Sequence, residues 1–121
     1  MSTQAKKEEK KHLTNEEIKE KADKLADQLG FGVFPICFIE AGEQIIGFVK
    51  EPSRLQKIAV MDKAMMGGYS AAEEILKEVV LKEHSDLRIL SEKPEHDKIY
   101  IGAVMAVYDR IKFSTNTLKK N

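Results

Sequence analysis

The side chains that could bind a metal ion or act as a base are three histidines and the acids near them. Zinc sites use closely spaced pairs such as Cys-x-x-Cys or His-x-x-x-His, but His12, His84 and His96 form no such pair. If the loop folded back, His84, Asp86, His96 and Asp97 could come together. We favour the interpretation that these histidines are solvated in a loop. The sequence therefore predicts neither a metal site nor a cofactor.

The candidate nucleophile is Cys37, which lies between Ile36 and Phe38 in an apolar run. A nucleophilic cysteine needs an electropositive, partly exposed site and usually a histidine base. We therefore predict that the Cys37 thiol is packed within a strand. As Cys37 is the single cysteine, no disulfide can form within the chain, which suits a reducing compartment.

Two pairs of adjacent glutamates, Glu16–Glu17 and Glu73–Glu74, are the candidate acid/base groups. Acid/base catalysis needs carboxylates in a pocket that displaces their pKa values. Both pairs instead fall in predicted first turns of helices, where acids close the caps and complement the helix dipole. Gly67–Gly68 lacks the Gly-Lys-Ser/Thr ending of a phosphate-binding loop and predicts a hinge between helices. We expect a protein that is not an enzyme.

The composition bounds the class of protein. A length of 121 residues fits one domain, which we place at 13–118, with frayed or disordered ends at 1–12 and 119–121. Twenty Lys and Arg balance 20 Asp and Glu, and zero net charge disfavours nucleic-acid binding, which usually draws on a basic excess. The longest charge-free apolar run, Ile99–Tyr108, is about half a membrane span, and no signal-peptide core is present. We expect a soluble, cytoplasmic protein that binds no membrane.

The elements that position these residues begin with a helix at 15–29. Thr14 and Glu17 form a capping-box pattern, Leu13 and Ile18 have the spacing of a hydrophobic staple, and Gly30 can end the helix. Its apolar residues share one narrow stripe, which predicts a helix on the outside of the domain: Ile18, Ala22, Leu25, Ala26 and Leu29.

A β-hairpin is predicted next, from strands at Val33–Ile39 and Gln44–Val49 joined by a turn at 40–43. Pro35 makes the first strand an edge strand, and Gly47 marks a possible bulge. Because two strands alone are marginally stable in water, the hairpin needs helices on one face or a partner strand.

Three helices complete the predicted fold. The first has Pro52 in its first turn, Glu51 as a possible cap and Gly67–Gly68 at its end. Its apolar stripe comprises Leu55, Ile58, Ala59, Met65 and Met66. The second is opened by a capping box of Ser70 and Glu73, and its predicted buried residues are Ala72, Ile75, Leu76, Val79 and Val80.

The last helix follows a polar loop at 83–93, whose apolar insert Leu87–Leu90 we expect to tuck inward. Pro94 and Asp97 mark its start, and Ile99–Ile111 is apolar nearly all round, which predicts the most buried helix. The sequence thus indicates an α+β fold: an N-terminal helix, a β-hairpin and a bundle of three helices with a buried C-terminal helix.

Two features could bind a protein partner. Met61, Met65 and Met66 precede the double glycine, and flexible thioethers are common on promiscuous binding surfaces, although methionines also fill cores. The segment Phe48–Arg54 runs from a strand into a helix, and an exposed hairpin edge could accept an incoming strand. The candidate partner-binding residues are Phe48, Lys50, Pro52, Arg54, Met61, Met65 and Met66.

The order of elements also resembles a known family. Aromatic-x-Lys-x-Pro-Ser-Arg at Phe48–Arg54 leads into a helix, and Ser-Ala-Ala-Glu-Glu at Ser70–Glu74 opens the next. An acidic loop with Ser85–Arg88, a closing apolar helix and a lysine-rich tail follow. Over 31–120 the chain resembles small phage and prophage proteins of the tail-assembly-chaperone type.

That resemblance implies a cofactor-free protein of the host cytoplasm that binds the long tape-measure protein, keeps it soluble and helps recruit tail-tube subunits. Homo-oligomers are compatible with this role. The alternative is a structural virion component or a subunit of a stable protein complex. An enzyme or small-ligand module is a further alternative and would need a pocket that gathers polar groups from the loops 83–97 and 40–44.

Overall fold

The described part of the chain forms an N-terminal helix, a two-stranded hairpin and three further helices, which confirms the predicted α+β class. The computed structural model describes residues 12–63, 68–111 and 118. Its helices and strands are α1 (Asn15–Leu29), β1 (Val33–Glu40), β2 (Glu43–Lys50), α2 (Arg54–Asp62), α3 (Gly68–Val79) and α4 (Asp97–Arg110). Three short 3₁₀ turns, Lys82–His84, Leu87–Leu90 and Pro94–His96, connect α3 to α4. Of the predicted frayed ends, 1–11 and 119–121 lie outside the described residues.

Helix α1 has the predicted bounds because the residues that start and end it lie close to it in sequence. The Glu17 N–H donates to Thr14 Oγ1 at 3.1 Å, and the Thr14 N–H donates to Glu17 Oε1 at 2.8 Å. At the other end Gly30 adopts φ 82° and donates its N–H to the Ala26 carbonyl. The narrow stripe is buried at Ile18, Ala22 and Leu25, so α1 packs on one face of the hairpin through that side alone.

The hairpin turns tightly at Ala41 and Gly42, whose φ values of 52° and 79° match the twist of the strands. Pairing is continuous from Glu40 opposite Glu43 to Val33 opposite Lys50, so the bulge suggested at Gly47 is absent. Glycine is needed there for another reason. A Cβ at Gly47 would lie 2.4 Å from Cδ1 of Ile89, a fully buried side chain of the 87–90 turn.

Each face of the hairpin carries its own core. One face packs against α3, α4 and the Leu87–Leu90 turn and includes Phe34, Ile45 and Val49. The other face packs its Phe48 side chain against α1. Ile89 of the apolar insert is fully buried, as expected, whereas Leu87 of the same insert is 84% exposed. The hairpin is therefore the middle layer of the fold.

The segment after α3 closes the outer edge of β2. Leu81 and Asp86 donate their N–H groups to the carbonyls of Phe48 and Ile46, at 2.8 and 2.9 Å. The Phe48 N–H donates in turn to Ser85 Oγ at 2.9 Å. An incoming strand would therefore have to pair with β1, where Pro35 lacks an N–H.

The start of α2 differs from the prediction. Ser53 is the N-cap, and its hydroxyl accepts the Gln56 N–H at 3.1 Å while Gln56 Oε1 accepts the Ser53 N–H. Pro52 therefore precedes the helix, and Glu51 is not the cap. Ser53 is the N-cap in place of Glu51 because its hydroxyl can form a capping box with Gln56.

The predicted apolar stripe of α2 faces solvent rather than the core. Leu55 is 77% exposed and Ile58 is 49% exposed, whereas Val60 is buried. Helix α2 lies at the periphery and contacts α3 on one side, and no element of the described ranges covers Leu55 and Ile58 on the other. Met65, Met66 and the predicted helix end at Gly67 lie outside the described residues, and α2 ends at Asp62.

Helices α3 and α4 bury most of the predicted residues. In α3 the apolar positions Ala72, Ile75, Leu76 and Val79 are all buried. The helix already includes Gly68, so Ser70 lies within its first turn and is not the predicted cap. In α4 one side is open: Ile101 and Met105 are exposed, which contradicts burial all round. The elements packed against α4, namely α3, β1 and the 3₁₀ turns, leave that side uncovered.

Candidate functional site

An open groove lies between α3 and α4, which run antiparallel. The ring of Tyr69 at the start of α3 stacks on that of Tyr108 near the end of α4, with centroids 4.4 Å apart. One turn further along α3, Glu73 Oε2 accepts a hydrogen bond of 2.5 Å from the Tyr100 hydroxyl, in the first half of α4. These two contacts fix the spacing of the helices at both ends of the groove.

The groove has a volume of about 580 Å³ and a largely apolar wall. Its lining residues come from α3 (Tyr69, Ser70 and Glu73) and from α4 (Asp97, Tyr100, Ile101, Val104 and Met105). Tyr69 is 53% exposed, Ile101 54% and Met105 45%. Large apolar side chains gathered on one exposed surface are typical of interaction sites.

The acidic residues of the groove lie together towards one end. Glu73 and Asp97 are its charged lining residues, and both are acidic. Neither forms a salt bridge with any Lys or Arg of the described ranges. Burial, together with the hydrogen bond to the Glu73 carboxylate, raises the pKa of Tyr100 to about 12. Tyr100 is therefore a neutral donor at physiological pH and holds the Glu73 carboxylate in place.

A second cleft, of about 430 Å³, adjoins the acidic end of the groove. Glu73, Asp97 and Tyr100 line both spaces, whereas Lys77 and Lys82 line the second cleft alone. The Tyr100–Glu73 hydrogen bond thus divides an apolar groove from a polar cleft that carries charges of both signs.

The sequence carries a weak signal for the open side of α4. Asp97, Ile101 and Met105 follow one another at four-residue spacing, which places them on one side of α4. An acid at the head of this line indicates a side that meets water. The apolar character of the rest of α4 concealed that signal.

The predicted partner-binding residues do not come together in the groove. Phe48 and Pro52 are buried, and Phe48 belongs to the core beneath α1. Lys50 is exposed, with Nζ 4.7 Å from the centre of the Phe31 ring. Arg54 and Met61 are exposed on α2. For Met61 this leaves a role in partner binding as a prediction, and the same holds for Met65 and Met66 outside the described residues.

Polar groups of the connecting segment do meet the hairpin turn, as the small-ligand alternative requires. Arg88 Nη1 lies 2.7 Å from Glu43 Oε1, and Arg88 Nη2 lies 2.8 Å from Asp86 Oδ2. The hydrogen bond from Arg88 holds the pKa of Asp86 below its usual value. Arg88, Asp86 and Glu43 pair with one another, so they hold the segment after α3 against the hairpin turn.

The histidines and Cys37 are dispersed. His96 Nδ1 lies 2.6 Å from Ser91 Oγ, and His12 Nε2 lies 3.0 Å from the Gly42 carbonyl oxygen. Across residues 12–63 and 68–111, no three His, Cys, Asp or Glu side chains gather as a metal site would require. Cys37 is exposed, so the prediction of a packed thiol is wrong. The narrow stripe of α1 covers only part of that hairpin face.

Comparison with protein-family models, with curated proteins and with solved structures finds no match to this chain. Among the helices in the described part of the chain, none has the length and apolar character needed to cross a membrane.

Proposed function

We propose that this chain is a non-enzymatic protein-binding factor that holds an apolar helical segment of its partner in the α3–α4 groove. The observation that carries this proposal is the exposure of Tyr69, Ile101 and Met105 side by side along one groove. Leaving these side chains in water costs free energy that a covering partner recovers, at about 25 cal/mol per Å² of apolar surface buried.

The shape of the groove favours a helix as the occupant. Two antiparallel helices present a channel between them into which the ridge of a third helix packs, as in helical bundles. The line from Asp97 to Met105 spans eight residues, or about 12 Å of helix. A partner helix would therefore contact the groove with about two turns of an apolar stripe.

The more specific proposal is a tail-assembly chaperone whose partner is the tape-measure protein. It rests on the resemblance over residues 31–120, a span that includes both helices of the groove. A long helical partner supplies apolar helical segments of the kind that the groove suits. On this proposal the protein shields such segments from aggregation before the tail is assembled.

Co-expression with the proposed partner, a tape-measure protein, tests this function. We expect the parent chain to increase the soluble fraction of the tape-measure protein and the double variant Ile101→Asp, Met105→Asp to lose that effect. Leu87→Asp is the matched control, because Leu87 is 84% exposed and lies outside the groove. Equal solubility with the parent and the double variant would refute the groove as the binding site.

Purified particles distinguish the alternative. A chaperone is absent from finished virions, whereas a structural component is present in fixed proportion to the other tail proteins. Recovery of this chain from particles by mass spectrometry in such a proportion would replace the chaperone proposal with the structural one.

A further inference from the structure

We infer that the groove selects an amphipathic helix that carries a Lys or Arg at one end of its apolar stripe. This inference rests on the proposed function and adds the chemistry and the direction of the bound segment. It depends on the arrangement of the groove, which is apolar at the Tyr69–Met105 end and acidic at the Glu73–Asp97 end.

The direction of the groove follows from its two end contacts. Tyr69 stacks on Tyr108 at the apolar end, and Tyr100 donates to Glu73 at the acidic end. A helix lying along α4 therefore meets apolar side chains over one part of its length and acidic groups further along, with Asp97 eight residues, or about 12 Å, from Met105. The two ends are chemically different, so the groove can distinguish the two orientations of a bound helix.

Charge complementarity identifies the residue needed at the acidic end. Glu73 and Asp97 lack a salt-bridge partner in the described ranges, and Lys77 lies on the other side of the Tyr100–Glu73 bond, in the second cleft. A bound helix with an acid at this end would place like charges together, whereas a Lys or Arg would neutralise the two carboxylates. Because Tyr100 fixes the Glu73 carboxylate, little further ordering is needed for this contact.

Selection from a peptide library gives the first test. The probe is a yeast-displayed library of 16-residue helix-forming peptides with a fixed apolar stripe and randomised flanking positions. Peptides are selected on the parent protein and counter-selected on the double variant Ile101→Asp, Met105→Asp. We expect enrichment of Lys or Arg about eight residues from the far apolar position.

The outcomes of the selection separate this inference from the proposed function. Binders that need Ile101 and Met105 but show no basic enrichment overturn the inference and leave the groove as a binding site. The absence of any binder that depends on these two side chains overturns both. A parent dimer that becomes monomeric in the double variant, measured by analytical ultracentrifugation, makes a second copy the occupant and also overturns the inference.

A charge exchange gives the second test. The most enriched peptide is synthesised with a fluorescent label, together with a twin in which its Lys or Arg is replaced by Glu. We expect the parent to bind the basic peptide about tenfold more tightly at low salt, with a smaller ratio at high salt. Asp97→Lys should abolish or reverse this preference, because Asp97 is exposed and lines the groove.

The matched control is Glu95→Lys. It changes the net charge equally, two residues away, at an exposed position outside the groove lining, and should keep the tenfold preference. If Asp97→Lys retains the full preference for the basic peptide, the acidic end of the groove does not select a basic residue and the inference is wrong.

Discussion

Tyr100 joins the two helices of the groove through one hydrogen bond to Glu73. Ionisation of Tyr100 breaks this bond, so the free energy of unfolding should fall at high pH. The pKa of Tyr100 is raised from 10.0 to about 12 by burial and by the Glu73 carboxylate. The folded state therefore holds the phenolic proton more tightly than the unfolded chain. This contribution to stability is fully present below pH 10 and is lost as pH rises through about 12.

Substitution of Tyr100 by Phe should remove that pH dependence. We expect Tyr100→Phe to lower the free energy of unfolding by about 1 kcal/mol at neutral pH. It should also lose less stability than the parent as pH rises from 10 to about 12. Urea unfolding across this range measures both effects, with Tyr69→Phe as the control because Tyr69 is exposed. If the free energy of unfolding fell equally with pH in the parent and in Tyr100→Phe, ionisation of Tyr100 would not be the cause of that fall.

At the scale of elements, the two sides of α4 have opposite roles. Val104 touches the groove but is 7% exposed and belongs to the main core, whereas Ile101 is 54% exposed in the groove. Val104→Asp should unfold the protein, because a buried unpaired carboxylate costs several kcal/mol, on the order of the stability of a domain. Ile101→Asp should change the free energy of unfolding by less than about 0.5 kcal/mol. Thermal melting followed by circular dichroism compares them, and similar melting of the two variants would contradict this placement of α4.

Element boundaries were predictable from the sequence where the signal is local. Thr14 and Gly30 fix α1 through bonds to neighbours within four residues, so the predicted bounds are correct. The outward side of each later helix depends on which elements cover it, and in α4 the acid Asp97 is a weak signal among many apolar residues. Leu55 and Ile101 have the spacing of core residues, yet no described element packs over them. The candidate groove was missed for the same reason, because it is a relation between two helices.

At the scale of the whole molecule, the two cores differ greatly in size. The core beneath α1 consists of Ile18, Ala22, Leu25 and Phe48, with a few partly buried neighbours, whereas the core on the other face of the hairpin draws on α3 and α4. Regions with few buried apolar contacts open locally at lower free energy than the global unfolding reaction. We therefore expect α1 to open independently of the rest.

Ala22→Asp provides the test of that independence. Ala22 is 2% exposed, so its replacement places a carboxylate between α1 and the hairpin at a cost of several kcal/mol. Hydrogen exchange should lose protection in α1 and keep it in α4. Lys21→Asp, at an exposed neighbouring position, should keep protection in both. Loss of protection in α4 with Ala22→Asp would show that the two cores unfold together.

The closed edge of β2 has a consequence for how this protein behaves when it is abundant. With zero net charge, molecules of this protein repel one another weakly at high concentration, and the groove exposes apolar surface. Sheet edges are the usual templates on which such chains polymerise into fibrils. Here residues 81–86 occupy one edge, and Pro35 interrupts the donors along the other. Because both edges of the hairpin are protected, a concentrated stock should remain free of amyloid, which thioflavin T fluorescence can check.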